Sequence, residues 1–109
     1  MGCNSELRGM QKRLGDLERA GLRVVAISVD EPETSRDFSQ QSGYTYTFLS
    51  DSSGEVARRY DLFDPAQEVS RPAEFLLDAS GIVRWRNLTE DFYVRARPEQ
   101  VLEAAKALR

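Results

Sequence analysis

A nearly unbroken apolar run at residues 22–29 constrains the fold more than any other feature of the chain. It reads LRVVAISV and is dominated by β-branched residues. A half-exposed strand alternates polar and apolar residues, whereas a run of this kind is typical of a parallel strand with helices on both faces. The run therefore predicts an α/β fold with a buried parallel strand.

Helical and extended patterns alternate around this strand. Apolar residues at helical spacing predict a first helix over Ser5–Ala20, with Asn4 or Ser5 as its cap. The later patterns predict a helix from Glu31-Pro32 to about Gln41, an extended piece over Tyr44–Leu49, a short helix over Glu55–Tyr60, a hairpin of Glu74–Asp78 with Ile82–Leu88, and a last helix from Pro98. We expect one domain over residues 1–109, with a mixed sheet flanked by helices.

The order of these elements lacks one strand. A right-handed crossover between parallel strands needs a strand before its helix, and none precedes the first predicted helix. We therefore expect the fold to lack its N-terminal strand or strands. The loss of an inner strand leaves sheet edges unpaired, which favours association with a partner, including a second copy in a homodimer.

Composition excludes several classes of function. The chain has no histidine and one cysteine, so it can form neither a Ser-His-Asp or Cys-His catalytic group nor an internal disulfide. Its net charge of −3 argues against binding to a nucleic acid. No apolar run is long enough for a membrane helix, and there is no signal peptide. We expect a soluble, cytoplasmic protein without a bound cofactor or metal.

Cys3 is the strongest candidate for a reactive residue. It lies immediately before the first predicted helix, where unpaired N–H groups and the helix dipole favour thiolate over thiol. Arg8 follows about one turn later and would add positive charge. On position alone, a terminal cysteine with an ordinary pKa remains the alternative.

Four segments in order resemble the alkyl hydroperoxide reductase/thiol-specific antioxidant family, the peroxiredoxin-like branch of the thioredoxin superfamily. They are Cys3–Leu7 (CNSEL) followed by a helix, Leu22–Asp30 (LRVVAISVD), Leu49–Ala57 (LSDSSGEVA) with Tyr60, and Arg71–Asp78 (RPAEFLLD) with Gly81. Each segment is a weak signal, but four in family order are fairly specific, and the resemblance covers nearly the whole chain. The resemblance implies a thioredoxin-like fold.

The resemblance also implies roles for individual residues. Cys3 matches the peroxidatic cysteine of the family, and Glu6 matches the glutamate of its Cys-x-x-Glu pattern. Arg71 resembles the arginine that lowers the thiolate pKa and orients the peroxide, and Glu6 would hold this arginine. Pro72 resembles the superfamily's cis-proline, which faces the reactive cysteine, although in one alignment Pro72 takes the place of the arginine.

The sequence departs from the family at its beginning. The family's peroxide pocket also uses a Pro-x-x-x-Thr-x-x-Cys pattern, whose proline and threonine would fall before Met1. The first cysteine of a Cys-x-x-Cys pair would fall there too. The missing strand and the missing half of the motif are thus the same segment.

Three functions follow from these observations. The first is a thiol-dependent peroxidase that reduces hydrogen or alkyl peroxides at Cys3, with an external thiol such as a thioredoxin, a glutaredoxin or a small thiol as reductant. The second is a thioredoxin-like disulfide reductase whose first cysteine lies upstream of Met1. The third is an inactive, incomplete thioredoxin-fold domain.

Overall fold

Helices and short strands alternate along the chain, as the sequence patterns predict. The computed structural model describes residues 2–66, 69–70, 73–88 and 97–108, with residues 2–5 and 69–70 as backbone only. The elements are α1 (Gly2–Lys12), α2 (Leu14–Arg19), β1 (Val25–Ser28), α3 (Pro32–Ser42), β2 (Thr47–Ser50), α4 (Glu55–Arg59), β3 (Phe63–Asp64), β4 (Val69–Ser70), β5 (Ala73–Leu77), β6 (Val83–Leu88) and α5 (Pro98–Lys106).

The chain forms two compact units, which we describe separately. The first contains Met1–Arg23 and Pro72–Arg109, and the second contains Val24–Arg71. The strands form three two-stranded sheets, of which β1–β2 is parallel while β3–β4 and β5–β6 are antiparallel. Both kinds of pairing are present, as expected for a mixed sheet, but in the described part of the chain the three pairs are not hydrogen-bonded to one another. The expectation of one domain stays a prediction.

The N-terminal helical region of the first unit differs from its prediction. A single helix over Ser5–Ala20 is wrong, because α1 ends at Lys12 and α2 begins at Leu14. Between them, Arg13 has φ −105° and ψ 12°. Its guanidinium donates to Asp16 at 2.7 Å and to Glu99, at the start of α5, at 2.6 Å. Gly9 and Gly15 also weaken a continuous helix, since glycine costs about 1 kcal/mol relative to alanine.

The core of the first unit lies along the apolar stripe of these two helices. Leu17 is fully buried, and Met10 is nearly so. Leu76 of β5 and, from α5, Pro98 and Ala105 are further buried apolar residues of this unit. Met10 of α1 and Leu17 of α2 both belong to the apolar pattern that predicts the buried positions of this helical region, and both are buried.

The β5–β6 hairpin confirms its prediction closely. Ala73 pairs with Leu88 and Phe75 pairs with Arg86, with an irregularity in register after Leu76. Asp78 begins the turn between the strands, and Gly81 adopts φ +82°, a left-handed conformation that glycine tolerates. The hairpin's first strand begins at Ala73, directly after Arg71 and Pro72, the two residues for which the family resemblance implies roles in the site.

The second unit is built on the parallel pair of β1 and β2. Val25 is paired with Thr47 and Ile27 with Leu49, and α3 packs against β2. Helix α3 begins with Pro32 and ends at Ser42. Gly43 caps its C-terminus in a left-handed conformation, with φ +76°. This helix agrees with the predicted boundaries to within about a residue.

The expectation that β1 is buried on both faces is wrong. Val25 and Ile27 are 43% and 53% exposed, and Leu49 beside them on β2 is 48% exposed. The opposite face carries Phe48, which packs in a cluster with Phe38, Tyr44 and Tyr46 at centroid distances of 5.2–6.4 Å. The aromatic cluster thus forms the core of this unit on one face of the strand pair only.

Within the described part of the chain, every helix is too short or too polar to cross a membrane.

Candidate functional site

Cys3 lies within the first turn of α1. The helix begins at Gly2, so the predicted start at Ser5 with a cap at Asn4 or Ser5 is wrong. The first four N–H groups of a helix have no intrahelical acceptor, and the backbone of Cys3 is among them. The positive end of the helix dipole lies at the same place and favours a thiolate. The backbone of Cys3 thus lies in the first turn of α1 and not before the helix, and the reactivity expected of its thiol stays a prediction.

Glu6 follows Cys3 by three residues on the same helix. Residues at this spacing share a helix face. The Glu6 side chain is half-buried and interacts with its surroundings. The backbone positions of Cys3 and Glu6 are thus about one helical turn apart on α1, and their joint role in a site stays a prediction.

Arg71 and Pro72 lie outside the described residues. They immediately precede β5, which begins at Ala73. Their predicted roles, including the cis peptide bond expected before Pro72, stay predictions.

The turn after β2 is organised by a buried carboxylate. Asp51 accepts hydrogen bonds from the N–H groups of Val56 at 3.1 Å and Ala57 at 2.9 Å. It thereby satisfies two donors of the first turn of α4, which is the function of a capping residue. The side chain is 8% exposed. The neighbouring Gly54 has φ +74°, so the turn depends on a glycine there.

An open cavity of about 380 Å³ lies next to this turn in the second unit. Its lining combines the hydroxyl-bearing Ser52 and Ser53, the cationic Arg58 and the apolar Val29, Phe63 and Pro65. Sequence reasoning missed this site, because Phe63 is distant from Val29 along the chain and no motif joins them. The available signal was the Ser-Ser-Gly turn one residue after β2, followed by an arginine one turn into a short helix.

Comparison with known proteins gives one consistent family. Residues 1–86 match the AhpC/TSA family. Alkyl hydroperoxide reductase E of Mycobacterium tuberculosis is 32% identical over 95 residues, which are 85% of this chain and 62% of that protein. Alkyl hydroperoxide reductase C of Staphylococcus aureus is 26% identical over 93 residues, which are 82% of this chain and 49% of that protein. The chain therefore spans about half to two thirds of the length of these relatives.

Solved structures show the same fold. The crystal structure of Enterococcus faecalis AhpC aligns with a TM-score of 0.90 at 21% identity, covering 99% of this chain and 66% of that one. The reduced 2-Cys peroxiredoxin of Plasmodium vivax aligns with a TM-score of 0.88 at 22% identity, covering 99% and 58%. These likenesses confirm the predicted thioredoxin-like fold. The match over residues 1–86 establishes that the chain belongs to the AhpC/TSA family.

Proposed function

We propose that this chain carries the reactive cysteine of a thiol-dependent peroxidase. The observation behind the proposal is the position of Cys3, the one cysteine of the chain, in the first turn of an 11-residue helix. The relatives named above are alkyl hydroperoxide reductases and a peroxiredoxin, which favours this function over a disulfide reductase.

The proposed reaction begins at the sulfur of Cys3. The thiolate attacks one oxygen of the peroxide, the O–O bond breaks, and the other oxygen leaves with a proton as water or an alcohol. Cys3 becomes a sulfenic acid. An external thiol then forms a mixed disulfide with Cys3 and releases water, and a second thiol restores the Cys3 thiol and leaves as a disulfide. The chain has no second cysteine, so both reducing thiols come from outside it.

Three further residues complete the proposed site. Arg71 would stabilise the thiolate and the charge that develops on the peroxide oxygen, because a nearby cation lowers the pKa of a thiol. Glu6 would hold Arg71 in place from the same face of α1. Pro72 would form part of the substrate-binding surface. Partners would be a peroxide and an external thiol reductant, and a second copy of the chain in a homodimer.

The test is peroxide consumption by the chain and its Cys3→Ser variant. We expect stopped-flow mixing with hydrogen peroxide or cumene hydroperoxide, with dithiothreitol as reductant, to give a saturable rate for the wild type. The Cys3→Ser rate should equal that of the buffer, because an alcohol is not a nucleophile toward the O–O bond at neutral pH. Ser5→Ala, which changes a hydroxyl on the same turn, should retain the wild-type rate.

The role of Arg71 has its own readout in the same experiment. Arg71→Gln should slow peroxide consumption and move the pH dependence of Cys3 alkylation by iodoacetamide to higher pH, because the thiolate loses a cation. Arg36→Gln, on the exposed surface of α3, should change neither. Wild-type and Cys3→Ser rates that both equal the buffer rate would contradict the peroxidase proposal and support the inactive-domain alternative.

A further inference from the structure

The cavity of the second unit lies where parallel sheets commonly bind ligands. Val29 directly follows β1, and Ser52 and Ser53 follow β2 after one residue. Ligands of open α/β sheets bind beyond the carboxyl ends of parallel strands. Its volume of about 380 Å³ lies toward the small end of the range for small-molecule sites, about 300–1,000 Å³. Position and size both fit a small ligand.

The Arg58 side chain is held in one position at this cavity. Its guanidinium carbon lies 4.2 Å from the centroid of the Phe63 ring, and Nη1 donates to the carbonyl oxygen of Ser53 at 2.5 Å. A Cβ atom at Gly54 would lie 3.0 Å from Nη1 of Arg58 and 3.0 Å from the Phe63 ring. The missing side chain at position 54 thus allows the close approach of arginine and ring. A side chain already ordered in this way loses little entropy when a ligand binds.

Among the residues that the structure describes, Arg58 forms no salt bridge, whereas its neighbour Arg59 binds Glu55 at 2.6 Å. The nearby Asp51 carboxylate accepts from Val56 and Ala57 instead. The first-turn donors of α4 are therefore occupied, and any anion at this cavity would be recognised by Arg58 and by serine hydroxyls.

The lining favours one chemical class of ligand. A guanidinium over a ring still presents N–H donors in its own plane, and a pair of such donors matches the two oxygens of a carboxylate. The hydroxyls of Ser52 and Ser53 are further donors. Phe63 and Pro65 offer an apolar wall beside this polar group. We propose that the cavity binds a small monocarboxylate with an apolar body, its carboxylate on Arg58 and its body against Phe63 and Pro65.

This binding is independent of the proposed peroxidase function, and the test uses octanoate as the probe. An octanoate titration of the ¹⁵N-labelled 109-residue chain, followed by ¹H–¹⁵N NMR, should give saturable shifts at the amides of Ser53, Arg58 and Phe63. Octanol lacks the charge and inorganic phosphate lacks the apolar body. We expect each of them to bind at least about tenfold more weakly than octanoate. Octanol loses the strong hydrogen bonds between a carboxylate and Arg58, and phosphate loses the contact with the apolar wall.

Substitutions at Arg58 and at its neighbour Arg59 test whether the carboxylate of octanoate binds to Arg58. Arg58→Gln should weaken octanoate binding about tenfold or more, while Arg59→Gln, the same change at the next residue, should keep the wild-type affinity. Arg58→Lys keeps the charge without the planar fork and should also weaken binding, so it decides the question if the glutamine variant fails to fold. Equal affinities of the Arg58 and Arg59 variants, equal binding of octanol or phosphate, or shifts confined to other residues would overturn the proposal.

Discussion

Asp51 shows how one side chain organises a whole turn. It is buried, and its two oxygens accept the N–H groups of Val56 and Ala57. The backbone N–H of Gly54 also donates to the carbonyl of Asp51, at 2.8 Å. Helix α4 has five residues, which is too short to be stable without such support. The residue therefore connects the end of β2 to the start of α4.

We expect Asp51→Ala to destabilise the fold by about 0.5–2 kcal/mol, the usual effect of removing a capping side chain. The free energy of unfolding, measured by urea titration and circular dichroism, is the readout. Asp37→Ala, at an exposed aspartate on the surface of α3, should stay within about 0.5 kcal/mol of the wild type. Equal losses in the two variants would contradict the role of Asp51 as a cap.

At the scale of an element, the β5–β6 hairpin depends on the carboxylate of Asp78. This carboxylate accepts from the N–H groups of Ile82 at 3.0 Å and Ser80 at 2.9 Å, and from Nε of Arg84 at 2.8 Å. The backbone hydrogen bond from Ile82, followed by the bond from Arg84, lowers the pKa of Asp78 below its ordinary value of 3.8. The folded hairpin thus prefers the charged form of this side chain.

The pH dependence of this contribution has a defined sign. A lowered pKa in the folded state gives stability that is complete above the ordinary value of 3.8 and is lost as the pH falls through the lower, folded-state pKa. We expect Asp78→Asn to be less stable than the wild type at pH 6, with the difference shrinking steadily below pH 4.

Urea titrations of the wild type and of Asp78→Asn, at a series of pH values from pH 6 to below pH 4, measure the difference in their free energies of unfolding. Asp16, whose pKa is lowered by its hydrogen bond from Arg13, is present in both proteins, so its contribution cancels in the comparison. A difference between wild type and Asp78→Asn that stays constant over the whole acid range would contradict the prediction.

At the scale of the whole molecule, few of the described side chains are deeply buried. Leu17 is the one side chain below 2% exposure among the residues that the structure describes. A domain of this size has a total stability of about 5–15 kcal/mol, so the loss of one well-packed side chain is a large fraction of it. Leu17 is therefore the position where a single substitution should matter most.

We expect Leu17→Ala to lower the free energy of unfolding by about 2–5 kcal/mol, because it removes buried methyl groups and leaves a cavity. Leu108→Ala makes the same chemical change at a residue that is 46% exposed, and should cost about 0.5 kcal/mol or less. Urea midpoints of the two variants provide the comparison. Similar midpoints would show that the packing around Leu17 is loose.

Local sequence patterns were enough to predict the elements that are stabilised by their own neighbours. Pro32 and Gly43 mark the ends of α3, and the turn from Asp78 to Gly81 marks the hairpin. The alternation of helices and strands, and with it the α/β class, follows from such signals. For the candidate site, the local pattern predicted a helix start near Cys3 but placed it at Ser5 instead of Gly2, and a helix terminus provides unpaired donors and a dipole wherever it lies.

Contacts between distant residues decided the rest. The helical segment breaks at Arg13, which binds Glu99, a residue 86 positions away. The cavity depends on the contact between Arg58 and Phe63, which is possible because Gly54 has no side chain between them. No pattern of residue spacing predicts this contact. The apolar composition of β1 predicted burial on two faces, yet burial depends on which layers pack on a strand, and Val25 and Ile27 remain about half exposed. Local propensity thus sets which elements form, whereas their breaks, cavities and exposed faces arise from packing between residues far apart in the chain.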